Sequence, residues 1–297
     1  MIAQPIKRGA QRWFVAALLA PALVLVGIFV IGPIFISVIL SVTNEALTGP
    51  AAKSSHFVGL DNYARLLSDG AFIASMGRSL VFVLFSAIIG QFLLGLAAAL
   101  ALARKGLVGK GLFGAAILLP LVVPETVAAL AWASMLAPGT LGTLNRLVGV
   151  VGMSPIAWLT ANPMLSIVII NIWRGVAFAM ILFAAAIEGI SREVTEAAMV
   201  DGASPRQQVT LVTLPLIKHA VLLYILLTTI DTFGVFGLIY FLTRGGPGGE
   251  TTVASIYIYQ QAFKYFEVGL GSAASVILLA VVLAFGLVYV RSLRAQI

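Results

Sequence analysis

Six long hydrophobic stretches alternate along the chain with short polar connectors. They fall at about 13–42, 79–103, 111–137, 163–187, 216–242 and 268–290. A helix needs roughly 20 apolar residues to cross a bilayer, so each stretch predicts one membrane span. At about 1.5 Å per residue the first would reach ~45 Å. It therefore predicts a tilt, a bend near Pro21 or Pro33, or a protruding end. Between the fourth and fifth stretches lies a polar, charged, helix-prone connector, 188–215. Another connector opens with Arg244-Gly245-Gly246-Pro247-Gly248-Gly249, a turn-rich run that cannot be helical. The predicted fold class is all-α: a polytopic membrane protein with six transmembrane helices in a single domain over 1–297.

Composition agrees and excludes a soluble protein. The 297 residues are 61% hydrophobic and 10% charged, with a mean hydropathy of +1.08; soluble domains carry about 25% charged residues. The net charge of +7 needs no nucleic acid to explain it. Lys and Arg gather in cytoplasmic connectors as an orientation signal. Eleven of them lie in one set of connectors and ends and six in the opposite set, with Arg174 inside a span. This bias predicts that both termini and connector 188–215 are cytoplasmic, as an even number of spans requires. Lys7, Arg8 and Arg12 ahead of an apolar run could begin a signal peptide. The run is longer than such a peptide's apolar region of about 7–15 residues, so we read a retained first span. With no cysteine there is no disulfide framework and no thiolate metal site. His56 and His219 form no ligand pattern.

Connector 188–215 reads as helix–turn–helix. Ser191 is placed to cap a helix through Val200, with Glu193 and Glu196 in its early turns, where carboxylates suit the helix dipole. Gly202 supplies a backbone conformation that side chains resist. Ser204 and Pro205 open a second short helix, and Leu214-Pro215 redirects the chain into the fifth span. The in-register set Glu196, Ala197, Ala198, Asp201, Gly202, Ala203, Leu214 and Pro215 closely resembles the signature loop of bacterial ABC importer permeases. In that family the loop is a short helical elbow that inserts into a cytoplasmic ATPase. The resemblance implies that these eight residues couple the chain to an ATPase dimer, which would bind the ATP and Mg. No cofactor is expected in this chain, and it has no phosphate-binding G-x-x-x-x-G-K-[S/T] run. Val209 stands where that family often has Phe, and His219 where it often has Pro; the latter predicts a less kinked entry to the fifth span.

A second set of residues narrows the resemblance. Asp231-Thr232-Phe233, Leu242-Thr243-Arg244-Gly245-Gly246-Pro247, Thr251-Thr252, Tyr257-Ile258-Tyr259 and Ala262-Phe263 look like the carbohydrate-importer branch, specifically its maltose-type first permease. That resemblance implies a sugar or sugar-derivative substrate, a second permease subunit and an extracytoplasmic solute-binding protein. It also implies a place in the bacterial cytoplasmic (inner) membrane.

Three ionisable residues fall inside predicted spans. A charge there costs at least about 2.5–3.5 kcal/mol, so Glu125, Arg174 and Asp231 should face protein or water. They either tie helices together as ion pairs or line a translocation cavity. Asn171, Arg174, Gly175 and Phe178 share one face of the fourth span. Thr228, Asp231, Thr232 and Val235 share a face of the fifth, and Glu125, Ala129 and Trp132 of the third. Polar groups that grip hydroxyls and rings that stack on sugars are both present. Asn171 and Gly175 also fall where the resembled family places cavity residues. Trp132 reads equally as packing or as a sugar platform. Arg174 reads as a partner of Glu125 or Asp231, or as a contact for an anionic sugar. The competing function is a proton-coupled secondary transporter with Glu125 and Asp231 as carriers. Inverted repeats would support it, and none is evident. No catalytic or metal site is expected.

Overall fold

A computed structural model of the protein describes residues 8–104 and 106–294, with side chains for 15–104 and 106–292. Lys7 and Lys105, two residues of the orientation signal, lie outside the described residues. Every regular element described is helical, apart from one antiparallel bridge between Thr43 and Phe57. Four helices are long and apolar enough to cross a membrane, or up to six if each of two bent pairs is one span.

The chain forms two compact units. The first comprises residues up to Ser68 with Ile258–Ile277. Its long helix α1 begins as Arg8–Val26, widens into a π turn at Gly27–Ile31 and ends as Gly32–Ser41. Asn62 closes the following loop by donating through Nδ2 to the carbonyls of Ser41 and Thr43, at 2.9 and 2.8 Å. Arg65 and Glu267 form an exposed ion pair at 2.8 Å.

The second unit, Asp69–Tyr257 with Leu278–Ile297, holds most of the other helices. Helix α2 (Gly70–Ala103) starts nine residues before the predicted second span and contains a π-wound stretch, Val83–Gln91. The predicted third span is two helices, α3 (Lys110–Val122) and α4 (Glu125–Met135), bent by 107°. Pro124 causes the break. It has no N–H to donate, and it holds Val123 extended (φ −76°, ψ 124°), as residues before proline prefer. Helix α5 (Pro163–Glu188) is continuous, and α6 (Arg192–Val200) follows it.

The predicted fifth span, 216–242, is also interrupted. Helix α7 (Lys218–Phe233) ends at Gly234, and α8 (Gly237–Thr243) starts after Phe236 leaves helical geometry (φ −125°). Val235 therefore lies outside α7. Entry to α7 is bent by 74°. Ile217 leaves helical geometry there, just after Pro215. The last helix, α9 (Val268–Arg294), passes from the first unit into the second.

Helices α2 and α5 pack most closely because glycine removes the side chain between them. A Cβ on Gly95 would collide with Ala179, and one on Gly175 with the amide of Gln91. Small residues at helix crossings bring backbones close, which is how helices associate where lipid supplies no hydrophobic drive. Phe92, Phe183 and Tyr224 then fill the joint between α2, α5 and α7.

Candidate functional site

A cavity of about 340 Å³ opens between α2, α3, α5 and α7, within the size range of small-molecule sites. Its polar lining is Gln91, Asn171, Arg174, Thr228 and Asp231, and Gly175 also borders it. Pro120, Leu121, Val123, Phe178 and Leu227 form the apolar wall. Five of the eight candidate cavity residues meet here, Asn171, Arg174, Gly175, Thr228 and Asp231, together with Phe178 from the same face of α5.

Three others do not line it. Thr232 is buried; one residue on from Asp231, it is rotated by about 100° around α7. Trp132 packs edge-on against Trp173, ring centroids 5.5 Å apart, inside a hydrophobic cluster, and presents no face to the cavity. Glu125 lies at the margin. Its Oε2 is 3.6 Å from Arg174 Nη2, and its Oε1 accepts from the Leu238 N–H at 2.7 Å. Gly237, with no side chain, lets the carboxylate approach the start of α8.

Gln91 was not among the sequence candidates, yet it is the most heavily used polar group of the site. Its Nε2 donates to the Asn171 carbonyl at 2.8 Å, and its Oε1 accepts from Thr228 Oγ1 at 3.1 Å. Asn171 itself donates from Nδ2 to Ser86 Oγ at 2.8 Å. Asp231, by contrast, is exposed to the cavity. The lining thus mixes hydroxyl, amide, guanidinium and carboxylate groups with apolar side chains, a combination suited to a polar organic solute.

Connector 188–215 links α5 to α7, two walls of this cavity. Ser191 caps α6 by accepting from the Glu193 N–H at 3.3 Å. Gly202 adopts φ +78°, and the Ala203 N–H closes the turn on the Ala198 carbonyl at 3.0 Å. Ser204 and Gln207 form a reciprocal capping box, with Pro205 in the first turn. Glu196, Ala197, Asp201, Gly202 and Pro215 are exposed, while Ala198, Ala203 and Leu214 are half-buried. Met199, Val200 and Leu211 add exposed apolar surface.

Residues 91–296 match the family described as binding-protein-dependent transport system inner membrane component. The chain belongs to that family. Among the permease's relatives is the trehalose/maltose transport system permease protein MalF of Thermococcus litoralis. It is 34% identical over 279 residues, 92% of this chain and 91% of that one. The trehalose transport system permease protein SugA of Mycobacterium tuberculosis is 35% identical over 286 residues, 96% and 90% of the two chains. The permease fold also matches a crystal structure of a bacterial alginate ABC transporter in complex with alginate pentasaccharide-bound periplasmic protein. That likeness has a TM-score of 0.79 at 23% identity and covers 94% of this chain and 93% of that one. The permease is a multi-pass membrane protein and a transport component.

Proposed function

We propose that this permease is one half of the translocation path of an ATP-driven, binding-protein-dependent sugar importer. The reading rests on one juxtaposition. The polar cavity has α5 and α7 as walls, and these two helices are joined by an exposed, rigidly capped elbow. A soluble ATPase dimer that grips the elbow pulls on both walls. The dimer binds ATP and Mg; its closure draws the elbows together and rocks the spans from inward-open to outward-open. A second permease subunit supplies the other half of the path, and an extracytoplasmic solute-binding protein delivers the sugar. Both termini and the elbow face the cytoplasm of a bacterial cell, with the spans in its cytoplasmic membrane.

The names of the relatives point to trehalose or maltose as the first sugars to test. A proton-coupled carrier is not favoured by the family, and Glu125 is engaged with Leu238 and Arg174. The test is co-expression with an ATPase, a second permease and a solute-binding protein of this importer class from the same genome. One stable complex, with a binding protein that takes up a neutral or derivatised sugar, is the expected result. A chain that purifies alone and moves solute without an ATPase would overturn the reading.

A further inference from the structure

We infer that Gln91 is a positioning residue: its side-chain amide latches α5 to α7 and thereby fixes the spacing of the polar groups in the cavity. Nothing in its apolar neighbourhood, Ile89-Gly90-Gln91-Phe92-Leu93, calls for an amide. The residue is 3% exposed, yet it borders the cavity. One end of the amide donates to the Asn171 carbonyl of α5, and the other accepts from Thr228 Oγ1 of α7. A single planar group on α2 therefore bonds to both of the helices that leave the elbow.

The local winding of α2 makes this possible. In an α-helix, residues five apart lie about 140° apart around the axis. Ser86 and Gln91 are five apart and both bond to Asn171, one to its side chain and one to its carbonyl. They reach the same residue because Val83–Gln91 is π-wound, with i→i+5 bonding that brings such positions onto one side. The Ala87 carbonyl in the same stretch accepts from Tyr224 Oη of α7 at 2.8 Å. The recipient surface is matched as well. Gly175, one turn on from Asn171, leaves a notch that the Gln91 amide fills, and any Cβ there would overlap it.

With donor and acceptor ends both engaged, Gln91 acts through Asn171 and Thr228, setting where their groups stand. Its consequence for substrate selection rests on the importer reading above; the latch itself does not. Because the chain has no cysteine, exposed Ile169 on α5 and Ile230 on α7 can be changed together, Ile169→Cys and Ile230→Cys, and spin-labelled without background. The probe is the inter-label distance distribution of the full chain in lipid nanodiscs, with no substrate added. We expect a narrow distribution in the parent. Gln91→Leu should widen it by about twofold as the released helices populate further separations. Thr228→Val, which leaves the Gln91–Asn171 bond in place, should widen it less. Gly175→Ala should reproduce Gln91→Leu and add nothing in the double variant. Should Gln91→Leu fail to fold, Thr228→Val and Gly175→Ala decide the matter. A broad distribution in the parent, or variants as narrow as the parent, would overturn the latch. Solute transport without an ATPase beside an intact distance result would fault the importer reading alone.

Discussion

Arg174 and Glu125 meet at 3.6 Å, Nη2 to Oε2, close enough for an ion pair and too far for a hydrogen bond. The other oxygen of Glu125 accepts the Leu238 N–H at 2.7 Å, in the first turn of α8. One carboxylate thus joins α4, where it stands, to α8, and faces the cation of α5. Both interrupted helices restart at this point, and free N–H groups at a helix start favour a negative charge. Glu125 meets that need, and Arg174 compensates the carboxylate.

Removing Glu125 should therefore cost more than removing its charge. Glu125→Ala strands the Leu238 N–H and leaves Arg174 unpaired, a loss of about 1.5–3 kcal/mol for a hydrogen bond to a charged group. Glu125→Gln keeps an acceptor and should retain most of the stability. The ion-pair part is small, since the two side chains are 28% and 29% exposed. Unfolding of the purified chain in mixed micelles reads both variants. Equal stability of Glu125→Ala and the parent would contradict the capping role.

Gly202 should tolerate shape and reject conformation. A Cβ there meets nothing within 4 Å, but φ is +78°. A left-handed residue costs roughly 1–2 kcal/mol for most side chains and less for Asn. Gly202→Val should weaken ATPase association and stimulated hydrolysis in proteoliposomes, with Gly202→Asn closer to the parent. Loss of the same size in both would show that the partner needs the bare glycine surface.

Asp231 tests the cavity. It is exposed there and has no role in helix packing comparable to that of Gln91. Asp231→Asn should leave assembly and basal ATPase activity intact. Uptake should fall about tenfold, the effect of losing some 1.4 kcal/mol of binding through charge-assisted hydrogen bonds. Unchanged uptake would remove Asp231 from the substrate path.

Orientation is tested by reporter fusions. Those at residues 60 and 250 should read as external, and those at 107 and 203 as cytoplasmic, following the Lys and Arg bias. An external reading at 203 would place the elbow beyond the reach of any ATPase.

The helical fold, the elbow caps and four of the five polar cavity residues, Asn171, Arg174, Thr228 and Asp231, could be read from the sequence, because each has a local signal. Apolar runs mark spans, and Ser191, Gly202, Ser204 and Pro205 mark caps and a turn. The breaks at Pro124 and Gly234 were lost because a span-length window averages over them, although each carries a breaker residue. Thr232 was misplaced because a helix face drawn at i, i+3 and i+4 is wider than the cavity. Trp132 met another ring, Trp173, which no spacing along one helix could foretell. Gln91 carries no charge to mark it within its span. Its signal, one long polar side chain in an apolar run, was present in α2.

ATP-dependent sugar uptake by proteoliposomes bearing the reconstituted complex, with any proton gradient collapsed, tests the central claim most directly. Uptake that requires ATP, the binding protein and an intact elbow, and that is lost with Gly202→Val, is the predicted result. Uptake that persists without ATP and follows an imposed proton gradient would contradict it.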